Sequence, residues 1–292
     1  MEKRLPIWFL LFFATLAFSQ ISDLIKMEYT YIPKANSNVG YDRIRALFNY
    51  PVKLSEDSFC ILGLDYSNID ISFDSSIDAF DTEIIEDFQL LDINFGYIFK
   101  MNKNWWFGVR ITPGFSSNLV KSMSFDDAVF SGDIIFFKNK KKDPDTAKPY
   151  RLIMGISYSE NRGIPFPIPF ISYYRKFRPN WSFNLGVPKS NLQYHASEKS
   201  RFKLFAKLDG FTANIQDGIV INNNEIAERI NMSIVVGGLS YEYHLGKYWE
   251  LFCNFANIFF TNAELRDRKN DDILSVNKDN TLYLKTGLRF KI

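Results

Sequence analysis

Several absences narrow this sequence before any motif is sought. It carries two cysteines, Cys60 and Cys253, and two histidines, His195 and His244, in 292 residues. One cysteine pair gives no disulfide framework, and both lie in apolar strand-like runs, where they read as small apolar side chains. No paired-histidine zinc motif, Cys-x-x-Cys pair or phosphate-cradling glycine loop occurs, so no metal and no cofactor are expected. The Asp-rich stretches 74–87 and 267–279 lack calcium-loop spacing and read as solvated loops. Neither sign of charge is in surplus: 35 Lys and Arg face 33 Asp and Glu, for a net of +2. Such a balance offers no field to gather nucleic acid, and none is expected as a partner. Past residue 20 there is no apolar run long enough for a membrane-spanning helix. A period of 3.6 is missing there as well.

The start of the chain has a different character. Lys3 and Arg4 precede an apolar run over residues 5–18, and Ala17 and Ser19 occupy the small-residue positions of a cleavage site before Gln20. This is the layout of a secretory signal peptide over 1–19, leaving 20–292 as one exported domain. Aromatic residues make up 17% of the chain, with 29 Phe and 15 Tyr. A membrane barrel needs that supply, because each strand shows one face to lipid and both rims carry aromatic belts.

Period two is what recurs. In the last segment Leu282, Leu284, Thr286, Leu288, Phe290 and Ile292 share one face, while Tyr283, Lys285, Gly287, Arg289 and Lys291 share the other. Similar alternation runs through 105–112, 150–158, 202–209 and 239–245. The predicted strands are 24–33, 41–53, 58–73, 85–100, 105–115, 128–138, 150–159, 167–177, 181–188, 191–197, 201–212, 229–245, 249–265 and 281–292. The expected fold is therefore all-β, a transmembrane antiparallel up-and-down barrel of about fourteen strands, with about twelve as the alternative. Short links at 54–57, 101–104, 178–180, 198–200 and 246–248 alternate with long polar ones at 74–84, 116–127, 213–228 and 266–280. Short periplasmic turns and long external loops are the asymmetry of such barrels; the charged link 139–149 and the brief one near Lys189 break it.

Trp105, Trp106, Trp181 and Trp249 each follow a short turn, which predicts an interfacial belt at the periplasmic rim. A soluble β-sandwich shares the alternation but has no need of tryptophans beside one set of turns. The polar parity assigns to the lumen Arg43, Arg45, Asp92, Arg110, Asp133, Arg151, Arg175, Lys203, Lys207, Asp209, Glu242, Glu250, Lys285 and Arg289, nine basic against five acidic. At this strand number the lumen is either an open channel or a salt-bridged plug. Pro165, Pro167 and Pro169 would remove three donors from one strand seam, which suggests a lateral opening in the wall. The same prolines also suit a loop above the sheet. Ser240, Glu242 and His244 stand in a row on one face, about 6.5–7 Å between neighbours, too far apart for direct hydrogen bonds. His195 has no nearer acid than Glu198. No enzyme is expected.

The stretch Gly163-Ile-Pro-Phe-Pro-Ile-Pro169, then Ile171-Ser-Tyr-Tyr174, Asn180-Trp-Ser-Phe-Asn-Leu-Gly-Val-Pro188 and Leu192-Gln-Tyr194 resemble a family of outer-membrane β-barrels of unknown function in diderm bacteria. Gly287-Leu-Arg-Phe290 resembles the closing strand of such barrels, although this chain continues to Ile292. The resemblance implies location in the cell outer membrane, with outer-membrane lipid and, during biogenesis, the barrel-assembly machinery as partners. It implies no catalytic residues. The leading functional expectation is a porin-like channel or uptake barrel for small or amphipathic solutes. The alternatives are a non-transporting structural or adhesive barrel and a lipid-modifying barrel enzyme.

Overall fold

The computed structural model describes residues 23–34, 39–73, 82–140, 149–164, 166–221, 225–277 and 280–291. The leader expected over 1–19 lies outside them, as do Pro165 and most of the link 139–149. The strands are β1 (Ile25–Ile32), β2 (Val39–Ser55), β3 (Ser58–Phe73), β4 (Asp87–Lys100), β5 (Trp106–Ser117), β6 (Ala128–Asn139), β7 (Tyr150–Ser159), β8 (Ile168–Arg178), β9 (Trp181–Val187), β10 (Lys189–His195), β11 (Ser200–Ile221), β12 (Glu225–His244), β13 (Trp249–Arg266), β14 (Asp272–Asn277) and β15 (Leu282–Phe290). Neighbours in sequence pair antiparallel all the way round, and β1 pairs with β15 to close the sheet. β14 and β15 both lie along β13, at its upper and lower halves, so they form one interrupted wall strand. The result is a closed up-and-down barrel of 14 strands. Among the described residues no helix is long and apolar enough to cross a membrane.

Alternation decides which side chains go where. Met27 and Tyr29 on β1, Ile44 and Phe48 on β2, Ile93 and Phe95 on β4, and Leu239 on β12 are all exposed on the outside. Glu28 and Thr30, Arg43, Asp92 and Asn94, and Glu242 point inward and are buried. An apolar exterior around a polar interior inverts the soluble pattern and is the arrangement of outer-membrane barrels. Closure also removes the open sheet edges that lipid cannot satisfy.

Two predicted loops are not loops. Residues 213–228, read as a long external connection, continue the sheet: β11 and β12 run up as a tall hairpin and remain paired to Ile221↔Glu225. Likewise β14 fills part of 266–280. The hairpin does more than lengthen the wall. At Gly210, where φ is +148°, β11 turns inward, and Asn214 then pairs in parallel with Ser117 of β5 on the far side of the short strands. A Cβ at Gly210 would lie 2.0 Å from the Met232 carbonyl oxygen, so only glycine fits this bend.

The inward faces of that hairpin are apolar. Phe211, Ala213, Ile215, Ile219, Ile221, Ala227 and Ile230 pack with Ile69, Ile85, Phe88 and Leu265 into a buried cluster. Phe211 stacks on Tyr41, with centroids 5.7 Å apart, and meets Phe88 at 6.0 Å. The loop end of the barrel is thus filled with side chains.

Candidate functional site: a charged chamber beneath the apolar cap

Below the cap the lumen widens into a cavity of about 340 Å³. Of the residues assigned to the lumen from parity, Arg43, Arg45, Asp92, Arg110, Asp133, Lys207, Asp209, Glu242, Lys285 and Arg289 line it. Lys203 and Glu250 belong to the ion network below, and Arg151 lies inward on β7 with its Nε lacking a partner among the described residues. Arg175 is a correction. It stands opposite Tyr150 and Phe183 in register, and the rings of both pack on Tyr173 on the outer face. It therefore faces outward near the turn end.

Lys26, Glu28, Asp65, Arg162 and Lys189 also line the chamber. The first three were legible from period two, since outward Met27 and Tyr29, and Leu64 and Tyr66, set their parity. Arg162 lies in the β7–β8 connection, where parity carries no information. Lys189 opens β10 just past Pro188, in a link that alternation does not phase.

The charges form three groups. At the top Asp209 receives Arg43 at 3.1 Å, Lys207 at 2.6 Å and the Tyr283 hydroxyl at 2.7 Å. Along β1 to β6, Arg45 Nε donates to Asp65 at 2.8 Å and Arg110 Nε to Asp133 at 2.7 Å, while Lys285 reaches Glu28 at 3.2 Å. Near the turn end Glu242 accepts from Arg201 and Arg289, each at 2.6 Å, and from Lys203; Glu250 accepts from Arg201 at 2.8 Å, from Lys291 at 3.0 Å and from Arg289. Below the strands, burial and neighbouring Arg289 lower the proton affinity of the Lys291 ammonium. Charges withdrawn this far from water persist because each carboxylate has several donors.

The β7–β8 connection descends into the lumen instead of standing above it. Asn161 Nδ2 donates to Asp92 at 2.8 Å, the Gly163 amide donates to Thr212 Oγ1 at 3.2 Å, and Ser233 Oγ donates to the Gly163 carbonyl at 2.5 Å. Arg162, between these anchors, is presented to the chamber. Pro167 precedes β8, and Pro169 lies within it, opposite Ile156 of β7.

The candidate hydrolytic row does not assemble. Glu242 is occupied by Arg201, Lys203 and Arg289, and His244 Nδ1 meets Glu250 at 3.0 Å, not Glu242. A serine–histidine contact occurs elsewhere: Ser182 Oγ lies 2.8 Å from His195 Nε2. Ser182 is fully buried, and no described carboxylate hydrogen-bonds the His195 ring, so the pair lacks both substrate access and an orienting acid. Cys60 and Cys253 are free thiols.

The tryptophans divide. Trp249 is exposed against Phe290 at 5.1 Å, and Trp181 packs on Tyr194 at 4.9 Å, both on the outer face at the turn end. Trp105 sits in the turn before β5, its carbonyl accepting from Met101 N at 2.9 Å. Trp106 is the correction. It points inward and stacks between Phe59 at 6.1 Å and Phe137 at 6.0 Å, as the alternation from its neighbour demands.

Among solved structures the chain is similar to an outer membrane channel from Pseudomonas putida F1, at 9% identity and TM-score 0.43, covering 94% of this chain and 98% of that one. It is also similar to a TodX monoaromatic hydrocarbon channel mutant, at 10% identity and TM-score 0.43, with 93% and 91% covered. A third likeness is to the KdgM porin in complex with disordered oligogalacturonate, at 7% identity and TM-score 0.38, with 91% and 99% covered. No curated protein matches the chain by sequence. Residues 60–291 match the family described as "Domain of unknown function (DUF6268)", and the chain belongs to that family.

Proposed function

We propose that the protein is an uptake barrel for small anionic or amphipathic solutes in the outer membrane of a diderm bacterium. It is exported by its first nineteen residues and inserted by the barrel-assembly machinery. It moves its solute without chemistry. The observation that carries this reading is the chamber itself: a polar space of about 340 Å³, with nine basic and six acidic side chains on its lining, beneath an apolar cap. A structural or adhesive barrel has no need of a space of ligand size. The cationic surplus favours anions in a low-dielectric enclosure, where fixed charges act more strongly than at an open surface. The cap makes the conducting state a gated one.

The test is conductance in a planar bilayer under a salt gradient. The wild-type barrel should show infrequent openings with a reversal potential on the chloride side. Phe211→Ala, which thins the cap, should open more often. Zero conductance from both proteins would dispose of the transport reading.

A further inference from the structure

We infer that the chamber holds a single-chain anionic amphiphile, its head group on Arg162 and Lys189 and its chain directed through a gap in the barrel wall between β8 and β11. This rests on the uptake reading above and names its substrate class and route.

The gap comes from unequal strands. β9 and β10 have seven residues each, whereas β11 has 22. The last β10–β11 pair is Lys189↔Lys207, and above it β11 meets no described strand on that side until Asn214 reaches Ser117. On the other flank β8 has no β9 partner above Ile171, although Ile168, Pro169 and Phe170 remain paired with β7. The lower edge of the gap is Pro188, whose carbonyl accepts from Leu208 N at 2.9 Å, and the upper edge is Asn161, whose carbonyl accepts from Thr212 N at 3.2 Å. Pro169 contributes no donor to this seam, so its unpaired backbone costs less than another residue's would.

The lining changes character at the gap. Ile164, Phe166, Ile168, Phe170, Pro188 and Leu208 supply apolar lining on this side of an otherwise charged cavity. Phe166 belongs to that lining and is nonetheless 60% exposed. Outside, Ile156, Ile171, Leu185 and Val187 surround the opening as exposed apolar side chains. The gap therefore lies at the height of the barrel's apolar band, facing acyl chains.

Charge identifies the other end of the ligand. All six chamber carboxylates have a polar partner within the protein; even Asp92, without a cation, accepts from Asn161 of the β7–β8 connection. Arg162 and Lys189 are cations whose side chains have no ion pair or hydrogen bond among the described residues. An anionic head group satisfies Arg162 and Lys189, and an alkyl chain satisfies the apolar side of the space.

The probes are decanoate and its neutral counterpart decanol, added to the full-length barrel in nanodiscs of zwitterionic phosphatidylcholine. Decanoate should bind at least tenfold more tightly than decanol, and Arg162→Gln and Lys189→Gln should each weaken decanoate by about tenfold while leaving decanol unchanged. Equal binding of the two probes, or variants that bind like wild type, would overturn the head-group assignment. For the gap, Cys60 and Cys253 are replaced by serine and a nitroxide is placed at Ile168→Cys. Its relaxation should respond to lipid-dissolved oxygen, unlike a label at Ile135→Cys, an inward position on β6 where β5 and β7 close the wall. Identical responses would remove the lateral route. A barrel that passes both tests yet conducts nothing and transports no decanoate would keep the site and lose the uptake reading.

Discussion

The lower and upper halves of β11 make opposite use of the same inward face. From Arg201 to Asp209 that face carries Arg, Lys, Phe, Lys and Asp; Arg201, Lys203 and Asp209 form ion pairs with β12, β13, β2 or β15, and Lys207 pairs with Asp209 on its own strand. From Phe211 to Ile221 it carries Phe, Ala and three isoleucines, all buried in the cap. The change occurs at Gly210, where the strand leaves the wall. Alternation thus says which residues face inward but not what they meet there. Below the bend they face water and one another's charges; above it they face a second layer of side chains, and the barrel acquires a core of the soluble kind.

The comparison fails first if the cap is not a core. Phe211 is fully buried between Tyr41 and Phe88. Phe211→Ala should cost about 3–5 kcal/mol in urea unfolding followed in micelles. The same substitution should raise open probability. A loss below about 1 kcal/mol would show a cap that merely rests on the barrel.

The ionic half predicts a smaller loss with a different signature. Glu242 holds Arg201, Lys203 and Arg289 together and is 2% exposed. Breaking a fully buried pair costs about 3–5 kcal/mol, but a wet lumen rehydrates the released cations, so Glu242→Gln should cost about 2 kcal/mol. Its clearer effect is on selectivity: Lys203 loses its carboxylate while Arg201 and Arg289 keep Glu250, and the added positive charge shifts the reversal potential further toward chloride. An unchanged reversal potential would place Glu242 off the ion path.

How much of this was readable beforehand follows from the same contrast. The wall was legible: β3 and β7 coincide with the predicted 58–73 and 150–159. β7 alternates along its length, and β3 keeps a period of two although its apolar parity passes from outward Leu62, Leu64 and Tyr66 to buried Ile69, Ile71 and Phe73. The cap was not, because Asp217 and Gly218, at φ +65° and +64°, break the register between Asn214 and Ile219. Ala213, Ile215, Ile219 and Ile221 keep one parity, but the bulge puts Asp217 on that parity between them, beside Gly218, and a period-two reading sees a polar loop there. In the chamber, strand residues such as Arg43, Asp92 and Lys285 followed from parity. Arg162 did not, since its position depends on hydrogen bonds that the next residue makes to Thr212 and accepts from Ser233, fifty residues and more away in sequence.

Those anchors give the third prediction, which tests whether the connection is a fixed part of the chamber. Gly163 has φ +82°, and a Cβ there would approach the Met232 carbonyl oxygen to 2.3 Å. Gly163→Ala should cost about 1–3 kcal/mol. By displacing Arg162 it should also weaken decanoate as Arg162→Gln does, with the wall intact by circular dichroism. Normal binding would mean that Arg162 reaches the chamber without its anchors.

The smallest effect separates the outer face from both inner ones. Trp249 is exposed at the turn end, edge-on to Phe290, and loses little packing when truncated. Its contribution is one aromatic pair and a position at the membrane boundary, so Trp249→Ala should cost about 1 kcal/mol. Trp106→Ala, which opens a void between Phe59 and Phe137, should cost more in the same host lipid. The sign of that difference is the informative quantity. In a soluble protein an exposed tryptophan is dispensable, whereas here its cost should grow when the bilayer is thinned or thickened away from the rim, and that of Trp106 should not. If the two respond alike to bilayer thickness, Trp249 is not seated at a lipid boundary, and the outward faces of β13 and β15 have some other neighbour.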